Sequence, residues 1–256
     1  MTQADQASTP LVELRRIHKS FGAVKALTDV DFRLMPEEIL GLVGDNAAGK
    51  STLMKILSGA YTKDQGKIFL EAEEVDFHGP HDSRARGIEM IYQDFALCGN
   101  MDVAANIYLG RWPTKGLFVD KRRMESEAWE ILQRLRVDVA SVNDRVESLS
   151  GGRQQSVAIA RALSFSPKVL ILDEPTANLS VTATERLLEL MLQLKQHGVA
   201  QVIISHRLQD IFAVGDRVMV LKRGRHVGEK IIGQTTENEV LRLIVHGDAA
   251  EEAQRE

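Results

Sequence analysis

Eight consecutive residues carry the densest chemical pattern in the chain: Gly44, Asp45, Asn46, Ala47, Ala48, Gly49, Lys50 and Ser51. Two glycines five apart, followed by a lysine and a hydroxyl, lie between the apolar run Ile39-Leu40-Gly41-Leu42-Val43 and a helix-like repeat at Leu53, Ile56 and Leu57. That is the spacing of a phosphate loop in its strand-to-helix context. Backbone N–H groups from Asn46 to Ser51 can turn inward as a nest at the positive end of the new helix and hold anionic oxygens without side chains. Lys50 adds a mobile cation, and the Ser51 hydroxyl is a hard oxygen of the kind Mg²⁺ prefers. An ordinary glycine-containing turn is the alternative, and the strand and helix on either side favour phosphate.

Two further groups have chemistry of their own. In "VLILDEPTANLS", Asp173 and Glu174 leave an apolar strand at the end where α/β sheets bind ligands. Strand alternation points them in opposite directions, so one can hold Mg²⁺ through its water shell while the other orients an attacking water. Pro175 fixes the exit of the chain. In "SLSGGRQQSVAIARAL", Ser150, Gly151 and Gly152 open a strong helix-forming run with bare backbone N–H groups, a second anion site or an ordinary helix cap.

The elements that must position these residues follow from periodicity. Alternating segments near Leu11 to Ile17, Thr28 to Leu34 and Gly66 to Leu70 predict antiparallel strands. From about Ala96 to Arg145 the character turns helical, with Met124, Ala128, Ile131 and Leu135 on one face of "KRRMESEAWEILQRLRVDV". An α/β alternation then returns: strand Val169 to Leu172, a helix in "TERLLELMLQLKQHG" stopped at Gly198, strand "QVIIS", and a hairpin turning near Gly224.

The chain has 256 residues, enough for one large α/β domain or a domain with a subdomain. It is 44% hydrophobic and 27% charged, the balance of a soluble globular protein. Its one cysteine, Cys98, excludes an internal disulfide, and intracellular residence is the natural reading. A formal charge of -4 gives no support to a nucleic-acid partner. No apolar run approaches the roughly 18 to 20 residues of a membrane span, the N-terminal stretch lacks the features of a signal peptide, and residues 1–10 and 247–256 read as flexible ends.

In order and spacing, these motifs resemble the ATPase subunit of an ATP-binding cassette (ABC) transporter, from about Leu11 to Val245. The likeness rests on the loop Gly44 to Ser51, Gln93 in "MIYQD", the signature "LSGGR" at Leu149 to Arg153, the pair Asp173-Glu174, and His206 in "IISHRL". It implies an α/β fold: a P-loop NTPase (RecA-like) core with an N-terminal antiparallel β subdomain and an α-helical subdomain at about 96–165, within a single domain spanning 11–245. It implies ATP and Mg²⁺, with Phe21 of "KSFGAVKAL" stacking on adenine and the loop, through Thr52, around the phosphates. Glu174 is then the general base or water-orienting group, His206 contacts the γ-phosphate, Lys50 neutralises charge, and Ser51, Gln93 and Asp173 arrange the metal. Two cassettes pack head to tail, so that Ser150, Gly151 and Gly152 of one copy close over ATP held by the other.

"YQDFALCGNMDVAANIYLGR", "DEPTANLS" and the SHRL sequence resemble the monosaccharide-importer branch, whose members mostly carry two fused cassettes; one cassette implies a homodimer. The resemblance further implies transmembrane permease subunits, an indirect periplasmic sugar-binding partner, and a peripheral place on the cytoplasmic face of the inner membrane. The surface at about Asp94 to Arg111, with Phe95, Met101 and Ile107 as anchors, would receive a short permease helix. Three positions depart from the common pattern: Ala47 for a glycine, which matters only at positive φ, Arg153 for a glutamine, and Ser180 for an aspartate. The alternatives are another importer or exporter ATPase, a soluble ABC protein of translation or DNA repair, and a non-catalytic ATP-binding module; retention of Glu174 and His206 speaks against the last.

Overall fold

The computed structural model describes residues 9–92, 96–135, 137, 139–177 and 179–247. The first strands are β1 (Val12–Phe21), β2 (Val24–Leu34), β3 (Ile39–Val43), β4 (Gln65–Leu70) and β5 (Glu73–Val75), with helix α1 (Lys50–Leu57) after β3. Helix α2 (Pro80–Ala85) and strand β6 (Ile88–Ile91) follow, then α3 (Val103–Ile107), the two-residue strands β7 (Thr114–Lys115) and β8 (Phe118–Val119), α4 (Lys121–Arg134) and α5 (Gly151–Leu163). The last part comprises β9 (Val169–Asp173), α6 (Val181–Gln196), β10 (Ala200–Ile204), α7 (Leu208–Val214), β11 (Arg217–Lys222), β12 (Arg225–Ile231) and α8 (Glu237–His246).

An antiparallel sheet of order β2-β1-β4-β5 faces a six-stranded sheet of order β12-β11-β3-β10-β9-β6, in which β11, β3, β10, β9 and β6 run parallel. The parallel strands are mostly apolar because both faces are covered, with Glu89 of β6 and Gln201 of β10 as buried polar exceptions and charged residues otherwise only at strand ends. Leu40 and Leu42 of β3, Val169 and Ile171 of β9, and Met219 and Leu221 of β11 join α1 and the antiparallel sheet in one core. The intervening Ile39 and Val43, Leu170 and Leu172, and Val218 and Val220 enter a second core with α6 and α7. Residues of α3, α4 and α5 form a third cluster around Val103, Ile107, Ala128, Leu132 and Val157.

On α4 the buried stripe is Met124, Ala128 and Leu132, whereas Ile131 and Leu135 flank it half-buried. The sequence spacing placed the face one position off, since 131 and 135 also satisfy the i, i+3, i+4 rule. Helix α6 ends with His197 as its C-cap, and Gly198 takes φ 85; the hairpin between β11 and β12 turns at Gly224 with φ 76. Among the described residues no helix is long and apolar enough to cross a membrane.

Candidate functional site

Because β3, β10 and β9 are neighbours and parallel, the segments that follow them emerge at one edge of the sheet, where α/β folds bind ligands. The glycine-rich loop follows β3, Asp173 ends β9 with Glu174 immediately after it, and His206 lies two residues past β10. Asp173 pairs in register with Ile204, and the Glu174 N–H donates to Ile204 O at 2.9 Å. That register sets His206 beside Glu174: its Nε2 lies 3.2 Å from Glu174 Oε1, and its backbone N–H points at Oε2 from 3.4 Å. Oε1 is buried without a hydrogen-bond partner of good geometry. Glu174 adopts φ 51, a left-handed conformation unusual for a side chain of this size. Burial pushes its carboxyl up, against the opposing pull of His206; burial also raises Asp173.

The loop is held from three sides. Gly49 caps α1 at φ 100, and a Cβ there would meet Leu27 Cδ2 at 2.7 Å and Ala26 O at 2.8 Å, so β2 presses directly on the loop. A Cβ on Gly44 would sit 2.0 Å from Leu221 O of β11. The Gly224 N–H donates to Ala48 O at 3.0 Å and closes the third side. Lys50, buried, curls inward and donates to Gly44 O at 2.7 Å and Asp45 O at 2.9 Å. Burial lowers its pKa, while Glu174, Asp173 and Asp45 pull it back up. A desolvated ammonium held by carbonyls alone, within a loop that excludes side chains, fits an anion of phosphate size.

Ala47 takes φ 64, the condition under which its departure from glycine matters. An alanine is penalised there by about 1 kcal/mol relative to glycine, which outweighs or matches the unfolded-state entropy that glycine adds. Ala47→Gly is therefore expected to stabilise the empty protein by up to about 1 kcal/mol and to tighten nucleotide binding a few-fold. Thermal melting and nucleotide titration check this; a lowered melting temperature would show that the loop is relaxed with alanine.

The Ser51 hydroxyl lies 3.5 Å from Asp173 Oδ1. No group of three or more His, Cys, Asp or Glu side chains that could hold a metal occurs among the described residues. Two hard oxygens with the remaining positions left to phosphate and water is the donor set that suits Mg²⁺ rather than a transition metal. Gln93, Asp94 and Phe95 lie outside the described residues. Just beyond them, Arg161 Nη1 of α5 donates to Ala96 O at 2.8 Å.

Phe21, at the β1–β2 turn, is 44% exposed rather than part of the core, with its ring edge-on to Tyr61 at 5.2 Å and Lys19 Nζ above it at 5.4 Å. Ser150 is the N-cap of α5, yet its side chain makes no capping hydrogen bond, and both Ser150 and Gly151 are exposed. Helix α5 packs on α3, α4 and β6, within the helical part of the molecule. Ser180, the third departure, caps α6 by accepting from the Ala183 N–H at 3.3 Å; serine and aspartate are equivalent in that task. Ile107 is fully buried and cannot anchor a partner, while Met101 is half-buried. A face of α3 reads as exposed from sequence because its covering residues, around Val142 and Val157, are distant in the chain.

Sequence reasoning missed a buried polar chain behind Glu174. Gln155 Nε2 of α5 donates to Pro175 O, and Thr176 Oγ1 donates to Asp210 Oδ2 of α7 at 2.6 Å. Gln155, Thr176 and Asp210 are all nearly inaccessible to solvent. The only signal in the sequence is polar residues at positions of α5 and α7 that face the core.

A parallel α/β core with a glycine-rich phosphate loop, a carboxylate pair at a strand end and an added helical part defines a P-loop nucleotide-binding cassette. The sequence profile described as "ABC transporter" matches residues 27–177, and the chain belongs to that family. It is 43% identical to the xylose/arabinose import ATP-binding protein of Sulfolobus acidocaldarius, over 91% of this chain and 93% of that one. It is 44% identical to a ribose import ATP-binding protein of Streptomyces avermitilis, covering 100% of this chain but 48% of that relative. It thus spans about half the length of such ribose import relatives. A nucleotide-free ATP-binding cassette from an ABC transporter superposes with a TM-score of 0.80 at 25% identity, over 95% of this chain and 98% of that one.

Proposed function

We propose that the chain is the ATP-hydrolysing subunit of a membrane transporter that imports a monosaccharide, acting as a head-to-tail homodimer on permease subunits at the cytoplasmic face of the membrane, supplied indirectly by a periplasmic sugar-binding protein. The observation that carries the ATPase reading is the convergence of the phosphate loop, Asp173-Glu174 and His206 at one sheet edge, with Glu174 Oε1 buried 3.2 Å from His206 Nε2. The sugar reading rests on the similarity, above 40% identity, to xylose/arabinose and ribose import ATP-binding proteins. The homodimer accords with Ser150, which is exposed at the N-terminus of α5 and makes no capping hydrogen bond.

In this reading Phe21 stacks on adenine. The N–H groups from Asn46 to Ser51 and the Lys50 ammonium, released from Gly44 O and Asp45 O, receive the phosphates. Ser51 and Asp173, with Gln93, would hold Mg²⁺, which supplies charge neutralisation on the phosphates. Glu174 accepts a hydrogen bond from the attacking water and orients it in line with the γ-phosphate, and His206 donates to a γ-phosphate oxygen. Ser150, Gly151 and Gly152 of the second copy complete the anion site, so hydrolysis requires the dimer.

The test is uptake of labelled pentoses and hexoses by cells lacking the gene. Monosaccharide uptake is expected to fall to background and to return with the wild-type gene. Unchanged sugar uptake alongside altered export of another compound would overturn the importer reading and leave the ATPase assignment standing.

A further inference from the structure

The two most exposed large hydrophobic side chains among the described residues are adjacent: Leu117, 97% exposed, and Phe118, 79% exposed. They form the tip of the β7–β8 hairpin, which turns through Gly116 at φ 64. Val119 and Trp112, both exposed, extend the apolar surface. Along the chain from Arg111 to Arg123 there are five cations and a single carboxylate, in a protein whose formal charge is -4.

The few carboxylates nearby are engaged. Asp120 caps α4 by accepting from the Arg123 N–H, Glu125 pairs with Lys121 at 3.6 Å, and Glu127 accepts from Tyr108 and Arg123. A projecting tip of leucine and phenylalanine, flanked in the chain by exposed Lys115, Lys121 and Arg122, is the arrangement that seats in the boundary between acyl chains and anionic headgroups.

We propose that the hairpin Thr114–Val119 is a peripheral membrane contact that inserts Leu117 and Phe118 into the interface of an anionic bilayer. A protein partner is less well matched to this tip. The concave surface beside it, a groove of about 540 Å³ lined by Met101, Trp112, Val119, Met124 and Arg145, could hold a protein segment. Leu117 and Phe118 lie outside that groove and carry no hydrogen-bonding group by which a particular partner is read. The lipid phosphates complement the flanking cations without any requirement of shape. Such a contact would fix the tilt of a cassette that has no spanning helix of its own among the described residues.

The experiment uses the purified full chain and vesicles of phosphatidylglycerol with phosphatidylcholine, or of phosphatidylcholine alone, with no transporter protein present. Its outcome is therefore independent of the transport reading. Co-sedimentation is expected with the anionic vesicles only, weakening several-fold as salt is raised. In a Trp129→Phe background Trp112 is the sole tryptophan, and its emission is expected to shift to the blue on binding. Leu117→Asp with Phe118→Asp should lower partition by about tenfold or more, and Lys115→Glu with Arg122→Glu should do the same while leaving the apolar tip intact. ATP hydrolysis by both double variants in solution should match wild type, which verifies the fold. Equal sedimentation with and without the tip substitutions would overturn the proposal. So would absence of vesicle binding by the wild type combined with loss of cellular uptake in the tip variant, which would assign the hairpin to the permease.

Discussion

Glu174→Gln is expected to bind Mg-ATP with wild-type affinity and to hydrolyse it at least about 10² times more slowly, the usual contribution of a positioned base. The amide keeps the size of the side chain and its place between β9 and His206 but loses the anionic oxygen that orients water. The loss should therefore fall on kcat and not on KM. With ATP retained, the variant is also expected to accumulate as a dimer in size-exclusion chromatography. The nucleotide-free protein should respond in the opposite sense. Burial raises the Glu174 carboxyl above its ordinary value, so the fold disfavours the ionised form and stability is reduced above the folded-state pKa. The amide removes that penalty: the variant should melt higher at neutral pH, with the gap closing as pH falls through the raised folded-state pKa and gone below the ordinary carboxylate value. Turnover near that of wild type would remove Glu174 from the role.

The phosphate loop was legible because its chemistry needs residues adjacent in the chain: a Cβ at Gly44 or Gly49 collides with β11 or β2, so both positions are committed to glycine. The strands were legible because a parallel strand covered on both faces has an apolar interior, as residues 169–172 of β9 and 218–221 of β11 show. Strand order was not readable, since nothing local to β3 states that β10 and β9 lie beside it. The meeting of Glu174 with His206 is a product of that order. The helical part was read less well. The α4 stripe slipped from Leu132 to Ile131 because both positions are apolar, and Ile107 was read as exposed because its cover comes from α5 and the segment around Val142. Phe21 is the reverse case: an aromatic side chain taken alone suits a core, while its place at a turn leaves it in solvent, where the resemblance puts a base-stacking residue. The hairpin tip passed unnoticed inside a stretch that reads as helical, because two-residue strands are too short to show a period of two.

Thr176→Val is expected to separate turnover from binding. The residue after Pro175 anchors the exit of the Glu174 segment to α7 through a 2.6 Å hydrogen bond to Asp210, while Gln155 of α5 holds Pro175 O. The backbone of Glu174 is in a left-handed conformation, which persists only where its surroundings over-determine it. Valine preserves the shape of threonine and removes the donor. The Asp210 carboxylate is then left buried with Arg207 Nε at 3.4 Å as its ion-pair partner. An unsatisfied buried acceptor costs about 1–3 kcal/mol, so melting should fall by several degrees. A displacement of Glu174 on the order of 1 Å lowers rate by up to about 10². We expect kcat to drop between about tenfold and 10²-fold while KM for ATP stays within a few-fold, and Thr176→Ser to restore both properties because it returns the hydroxyl. Because Asp210 lies four residues past His206 in the chain, Asp210→Asn should reproduce the kinetic effect by loosening the same hydrogen bond from its other end. A Val variant that melts lower but turns over at the wild-type rate would reduce Thr176 and Asp210 to packing, and would mean that β9 and β10 hold Glu174 against His206 without help from the helices behind them.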